Sequence, residues 1–211
     1  TEVTGHETSI PGLIFFDVTR VGDDRGYFQE KFHKAKLVAE GLPESFDVIQ
    51  TSVAYSKAPG VTRGFHAEPW EKYGSVVAGE GFAAFVDLRR GESFGRVETT
   101  MITPETAVFI PRGVGNSFQA LAPDTIYVYN VNAHWRADNY DEYCFVNLGD
   151  PEVEQTGSSG LIGGGSNGGG SRACISMAGP PVPAFDILGV GAGVDLEVAA
   201  WQCQVPEAER V

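Results

Sequence analysis

Between Ile10 and Asn132 the chain is cut by turn residues at nearly regular intervals, and short apolar or alternating runs lie between the cuts. This punctuation constrains the fold more than any other feature. Runs of about 4–8 residues have strand length and are too short for a helix that buries a stripe. Ile10-Pro11-Gly12 opens onto Leu13–Val18, and the turn Asp23–Gly26 leads into the alternating run Tyr27–Phe32. Val48–Tyr55 follows. Then come Tyr73–Ala78, Phe82–Leu88, Arg96–Ile102, Ala107–Ile110, Ser117–Leu121 and Thr125–Asn132. The breaks between them are Gly79-Glu80-Gly81, Arg90–Ser93, Pro104-Glu105, Pro111–Gly113 and Pro123-Asp124. His33–Glu40, stopped by Gly41, is the one segment with helical character. Many short strands with frequent turns and a single short helix predict an all-β sandwich or barrel.

The pattern ends abruptly. After Glu154 the chain becomes a Gly/Ser-rich stretch over 155–172, a linker by composition, and then an Ala/Val/Gly/Pro-rich tail over 173–211 without periodicity. The expected organisation is therefore one domain over 1–154, a linker and an irregular C-terminal tail. A double-stranded β-helix, the jelly roll of the cupins, fits the strand count. The net charge of −13 argues against nucleic acid and anionic membranes as partners. An anionic small molecule would also be repelled unless cations gather locally. Cys144, Cys174 and Cys203 are too few and too scattered for a disulfide framework, and they read as thiols in a reducing cytoplasm. No apolar run approaches membrane-spanning length, and the polar N-terminal stretch predicts no signal peptide. A cytoplasmic location is expected.

The local cations are found at Gly60–Glu68 and Lys72, where Arg63, His66 and Lys72 fall within ten positions. On one face of a sheet they would make a small cationic site containing one titratable base. One reading is a metal site. His66-Ala67-Glu68, with Glu71 nearby, and Pro111-Arg112-Gly113-Val114-Gly115-Asn116 stand where metal-binding cupins carry their two motifs. Glu68 and Asn116 occupy histidine positions of those motifs, and a histidine-poor set suits iron or zinc badly.

A second pattern is more specific. Ile10–Leu13, Gly22–Glu30, Arg63-Gly64-Phe65-His66, Val86–Arg89, Ser93-Phe94-Gly95, Ile110–Gly113, Tyr129 and Asp150-Pro151 occur in order over about two-thirds of the chain. In this the chain resembles the dTDP-4-dehydrorhamnose 3,5-epimerase family, metal-free cupins that act on nucleotide-linked sugars. The resemblance implies inversion of C3 and/or C5 of dTDP-4-dehydro-6-deoxy-D-glucose, with no cofactor. Such a reaction needs a base on one face of the carbon, an acid on the other and a positive group at the enolate oxygen. By resemblance His66 is the base, Lys72 the group at the ketone oxygen and Tyr129 the acid. Arg25 and Arg63 match contacts to the diphosphate, and guanidinium suits phosphate. Glu30, Gln50 and Asn116 match polar pocket residues. His134 and Trp135 fall where the family has tyrosines flanking base and sugar, and Trp135 could stack on thymine. The resemblance also implies a homodimer formed by strand exchange at a sheet edge.

The chain departs from the family at several points. Asn116 replaces a pocket histidine, and Thr51-Ser52 replaces Asp-Asn. The family's C-terminal Ser-x-Lys-Asp segment, whose aspartate partners the catalytic histidine, is missing. Asp186 and Asp195 are the only aspartates of the tail. Without such a partner the imidazole would be less well oriented and less basic. Three readings stay open at this point: a keto-sugar epimerase, a metal-dependent cupin, and a sugar-nucleotide-binding module without turnover.

Overall fold

Alternation of side chains along the strands decides how the sheets pack. The structure, a computed structural model, describes residues 1–136 and the backbone of Cys144-Phe145. Its elements in chain order begin with β1 (Val3–Glu7), β2 (Ile14–Val18), β3 (Val21–Asp23), β4 (Gly26–Phe28), α1 (Lys34–Ala39) and β5 (Gln50–Ser56). They continue with β6 (Thr62–Ala67), β7 (Lys72–Ala78), β8 (Gly81–Asp87), β9 (Val97–Ile102), β10 (Thr106–Ile110), β11 (Val114–Ala120), β12 (Thr125–Val131) and β13 (Cys144–Phe145). One sheet has the order β1-β2-β10-β7-β12-β5 and the other β13-β6-β11-β8-β9, while β3 and β4 form a separate hairpin. Every pairing is antiparallel. Apart from the β1–β2 and β8–β9 pairs, neighbours in both sheets are non-consecutive, which gives the jelly roll that the strand spacing predicted.

The space between the sheets is filled from both sides by Ile10, Leu13, Val76, Phe85, Ile102, Val108, Val114, Phe118 and Tyr127. Phe15 of β2 reaches across to Phe85, with ring centroids 5.6 Å apart. On the six-stranded sheet the opposite face is also apolar. Ile14, Phe16, Val18, Tyr73, Ala107 and Phe109 point away from the first core and meet Leu37, Leu42 and Phe46. Burying one such large side chain contributes roughly 1.5–3 kcal/mol. A sheet apolar on both faces therefore needs a cover, which α1 and the segment after it supply. A helix this short has little stability of its own in water, so docking of Leu37 holds it.

Some elements differ from the sequence reading. β1 lies in a stretch that reads as polar. It is an edge strand, and its backbone pairs with β2 from Val3↔Val18 to Glu7↔Ile14. The run Tyr27–Phe32 is strand only to Phe28, because Gln29 and Lys31 turn inward, each donating to the carbonyl of Pro104. The helix is shorter than 33–40: His33 is its N-cap, with the ring accepting from the Lys36 N–H, and Glu40 is its C-cap. Among the described residues no helix is long and apolar enough to cross a membrane.

Candidate active site

Strict alternation would put Arg63 and His66 on opposite faces of β6, since three residues separate them. The register between β6 and β11 prevents this. Asn116 pairs with His66 but Phe118 pairs with Arg63, so β6 holds one extra residue between two rungs. This β-bulge resets the phase, and Arg63 and His66 both line the same cleft. Gly64 makes the bulge possible. Its φ is +109°, and a Cβ there would lie 2.4 Å from the Asn116 carbonyl oxygen.

The cleft opens between β5, β6, β7, β11 and β12 and encloses about 710 Å³ including its mouth. Its lining includes Gln50, Arg63, His66, Glu68, Lys72, Asn116, Tyr129 and Trp135. Lys72 of β7 and Tyr127 and Tyr129 of β12 line it, the two tyrosines together because residues two apart share a face, and Gly74 lies on the same face of β7 as Lys72. Gly74 leaves the room that Tyr127 fills: a Cβ there would be 1.9 Å from the phenol oxygen. Phe118 stacks on Tyr127 at 4.9 Å, and Tyr127 supports Tyr129 at 5.8 Å.

The floor is a closed polar network of buried groups. Glu68 Oε1 lies 3.1 Å from His66 Nε2 and also accepts from Lys72 Nζ. Asn116 Nδ2 donates to Glu68 Oε2 at 2.9 Å and to the His66 carbonyl at 2.9 Å, while its Oδ1 accepts from Lys72 Nζ at 3.2 Å. Both amide hydrogens of Asn116 are thus committed. The residue lines the cleft, but as a tie among its neighbours rather than as an open donor to a sugar oxygen. Burial alone would raise the Glu68 carboxyl, but the Lys72 ammonium, then His66, hold it well below the usual carboxylate range. Glu68 is therefore ionised. Lys72 Nζ also sits 5.1 Å from the centre of the Tyr129 ring. The Tyr129 phenol is pushed upward, mainly by burial and against a lowering hydrogen bond to Ser52, so it keeps its proton at neutral pH.

The mouth has different chemistry. Arg63 is exposed and donates to the Tyr55 carbonyl at 3.0 Å. Trp135, also exposed, is held by a bond from its backbone N–H to Gln50 Oε1 at 2.9 Å. Three predicted residues are not brought to this cleft. Arg25 lies at the tip of the β3–β4 hairpin, paired with Asp23 and largely exposed. Glu30 accepts from Lys36 and Thr1, and these bonds, Lys36 first, hold it down to about 2. His134 is exposed and outside the lining. The residue not assigned from the sequence except as a metal ligand is Glu68. Its offset of four from Lys72 and two from His66 was the available signal.

The floor is poorly suited to a metal ion, because the Lys72 ammonium occupies the side of Glu68 that a cation would need. Among the described residues no three His, Cys, Asp or Glu side chains converge for metal binding. What the arrangement can do is proton transfer at carbon: an imidazole and an ammonium lie together at depth, with a protonated phenol on the adjoining wall.

Comparison with known proteins decides the family. The family model described as dTDP-4-dehydrorhamnose 3,5-epimerase matches residues 7–156. The chain belongs to the dTDP-4-dehydrorhamnose 3,5-epimerase family. Among its relatives, the RmlC homolog of Streptococcus pyogenes serotype M6 is 46% identical over 148 residues, 68% of this chain and 75% of the relative. The dTDP-4-dehydrorhamnose 3,5-epimerase of Pseudomonas aeruginosa is 34% identical over 153 residues, 69% of this chain and 81% of that one. The structure of RmlC from Streptococcus suis in complex with dTDP-D-xylose superposes with a TM-score of 0.69 at 41% identity, covering 73% of this chain and 81% of that one. Asp186 and Asp195, with the linker and tail, lie outside the described residues.

Proposed function

We propose that this chain epimerises dTDP-4-dehydro-6-deoxy-D-glucose at C3 and C5, giving dTDP-4-dehydro-L-rhamnose, and that residues 1–154 are the unit that does so. The observation that carries this reading is the convergence of His66 and Lys72 on one carboxylate oxygen at the cleft floor, beside the protonated Tyr129. His66 takes the proton from the carbon next to the ketone. The electron pair moves onto the ketone oxygen, where the Lys72 ammonium stabilises the enolate. Tyr129 returns a proton from the other side, and solvent restores the phenol and the imidazole. The keto sugar would sit at depth, while Arg63 and Trp135 at the mouth suit phosphate and thymine. Gln50 accepts from the Trp135 backbone N–H.

A homodimer in the cytoplasm belongs to the same proposal, with neither nucleic acid nor membrane as partner. Its support is exposed apolar surface in two places. Val53 and Tyr55 of the edge strand β5 are 64% and 51% exposed, and Tyr27 and Phe28 of the β3–β4 hairpin 56% and 67%. Arg25 is on that hairpin, outside its own chain's cleft, so its phosphate contact requires a second copy to bring it there. Glu30 and His134 keep a role only on the same condition.

Incubation with the keto sugar nucleotide in deuterium oxide tests the reading. Two deuterons should enter, at C3 and C5, and the product should carry both inverted centres. His66→Ala should abolish incorporation and leave the fold intact. Tyr129→Phe should keep exchange at the first carbon and lose inverted product. Absence of any exchange in the wild type would leave a binding module and end the proposal.

A further inference from the structure

The base, the cation and the acid leave one buried charged group of the cleft without a role. Glu68 is 7% exposed and ionised, and among the described residues its polar contacts go to the machinery itself. One oxygen is shared by His66 and Lys72, and the other is held by Asn116. From the adjoining strand β12, the phenols of Tyr127 and Tyr129 face it. Stability alone is a poor reason for such a group, because desolvating an ion pair offsets most of its Coulomb gain. Geometry is a better one. In a ketone the acidic hydrogen is on the carbon next to the carbonyl, two bonds from the oxygen. A base and an ammonium that serve the two ends of this unit need a fixed and short separation. Nε2 and Nζ touch the same oxygen atom, so they lie within two hydrogen-bond lengths of each other, roughly 6 Å at most.

We propose that Glu68, clamped by Asn116, is the positioning residue of this site: it sets the rotation of the His66 ring and its spacing from Lys72. It touches no reacting atom. An ionised carboxylate has no hydrogen to give, so in this role His66 Nε2 carries the hydrogen at the 3.1 Å contact, and the proton taken from the substrate carbon goes to Nδ1. The Asn116 orientation follows in turn, since only its NH2 can face both Glu68 and the His66 carbonyl. Glu68→Gln keeps the shape and breaks the logic. One of its two terminal atoms becomes an NH2 that must face either His66 and Lys72 or the Asn116 NH2, and either way two donors meet.

The kinetic arm of the test rests on the epimerase reading, while the spectroscopic arm does not. In the wild type, the side-chain nitrogen spectrum of ¹⁵N-labelled protein, with the His66 signal identified by its loss in His66→Ala, should show Nε2 bearing a hydrogen at pH 8. In Glu68→Gln, deuterium exchange into the keto sugar should fall roughly 100-fold, as expected when reacting groups are displaced by about an ångström. KM should change by less than about threefold, because binding of the nucleotide end is untouched. Glu68→Asp keeps the charge but is one methylene short, and it should recover part of the loss. A merely structural role would weaken dTDP binding and thermal stability together and would leave kcat of the folded fraction alone. An unprotonated Nε2, or a Glu68→Gln variant that exchanges at the wild-type rate, would overturn the proposal. If Glu68→Gln fails to fold, the nitrogen spectrum and Glu68→Asp still decide. If the wild type exchanges nothing, the epimerase reading fails, while the spectrum still judges the role of Glu68.

Discussion

Lys72 and Tyr73 are neighbours on β7, almost equally buried at 3% and 1% exposure, and they face opposite sides of one sheet. Tyr73 enters the outer layer, where its ring meets Phe16 and Phe32 at 6.0 and 5.2 Å and its hydroxyl is satisfied by the Lys31 carbonyl. Lys72 enters the cleft, where its ammonium is shared among Glu68, Asn116 and the face of Tyr129. Contacts in the outer layer are mostly non-directional and sum with area. In the cleft every contact is directional, and removing one partner leaves another group unsatisfied in a dry site. The outer layer therefore should affect stability alone, and the cleft stability and chemistry together.

The sharpest way to break this contrast is Lys72→Met. Exchange should fall about 10²–10³-fold, the loss typical when one group stabilising a developing oxyanion is removed. Breaking the buried pair should also cost roughly 3–5 kcal/mol at neutral pH. The pH dependence has a definite sign. The Glu68 carboxyl is depressed in the folded wild type, so its stabilising effect is present above its ordinary value of 4.5 and fades as pH falls below it. Without Lys72 the carboxylate has lost its chief cation. Urea unfolding curves of wild type and variant should then differ most near pH 7 and converge toward pH 3. A constant gap across that range would show that the ion pair is not the cause.

Phe46→Ala is the matching test on the other side. Phe46 is fully buried against Phe109 at 5.4 Å in the outer layer. Truncation should cost about 3–5 kcal/mol, as much as the loss of Lys72. Yet exchange per folded molecule should stay at the wild-type value. If it fell with stability, the two layers would be coupled through β7 and the contrast would be false.

How much of this was legible in the sequence follows from the same division. β8 and β12 fall within a residue of their expected bounds, because apolar runs between turn residues carry the signal. β1 did not show, because its place in the sheet depends on backbone pairing and its side chains are mostly solvated. In the cleft, Tyr129 came from the family resemblance, while His66 and Lys72 stood out as residue types that can do the chemistry. The bulge in β6 that brings Arg63 round to them did not, since one extra residue in a strand leaves no mark on composition. Glu68 read as a metal ligand, and the tie that Asn116 makes to it did not show, because their partners, four and many positions away, are visible only in the fold. For Arg25 and Glu30, motif position proved a poor guide to where the side chain goes within one chain.

Gly74→Ala probes the boundary between the layers at smaller cost. The added Cβ would meet Tyr127 Oη, and relief by movement of that ring should cost roughly 1–3 kcal/mol. Tyr127 packs on Tyr129, so inversion should suffer more than the first exchange step. The measurement is the ratio of inverted product to deuterium incorporated, which should drop below that of the wild type. An unchanged ratio would mean that Tyr129 holds its place without Tyr127.

The smallest effect is expected at the mouth, from Trp135→Ala. Trp135 is 48% exposed, so most of its surface is in water before any ligand arrives. Its removal should leave folding stability within about 0.5 kcal/mol, as for surface changes away from structural features. Affinity for dTDP should fall by about 0.5–1.5 kcal/mol, the value of one aromatic stacking contact. Calorimetric titration with dTDP, beside thermal unfolding of the free protein, separates the two. The expected pattern is the reverse of Phe46→Ala, with binding lost and stability kept. The two variants together would place the cleft's mouth and the outer layer at opposite ends of the molecule's division between recognition and support. Loss of stability without loss of binding would instead make Trp135 a lid on the hydrophobic interior, and the ring would have no part in holding thymine.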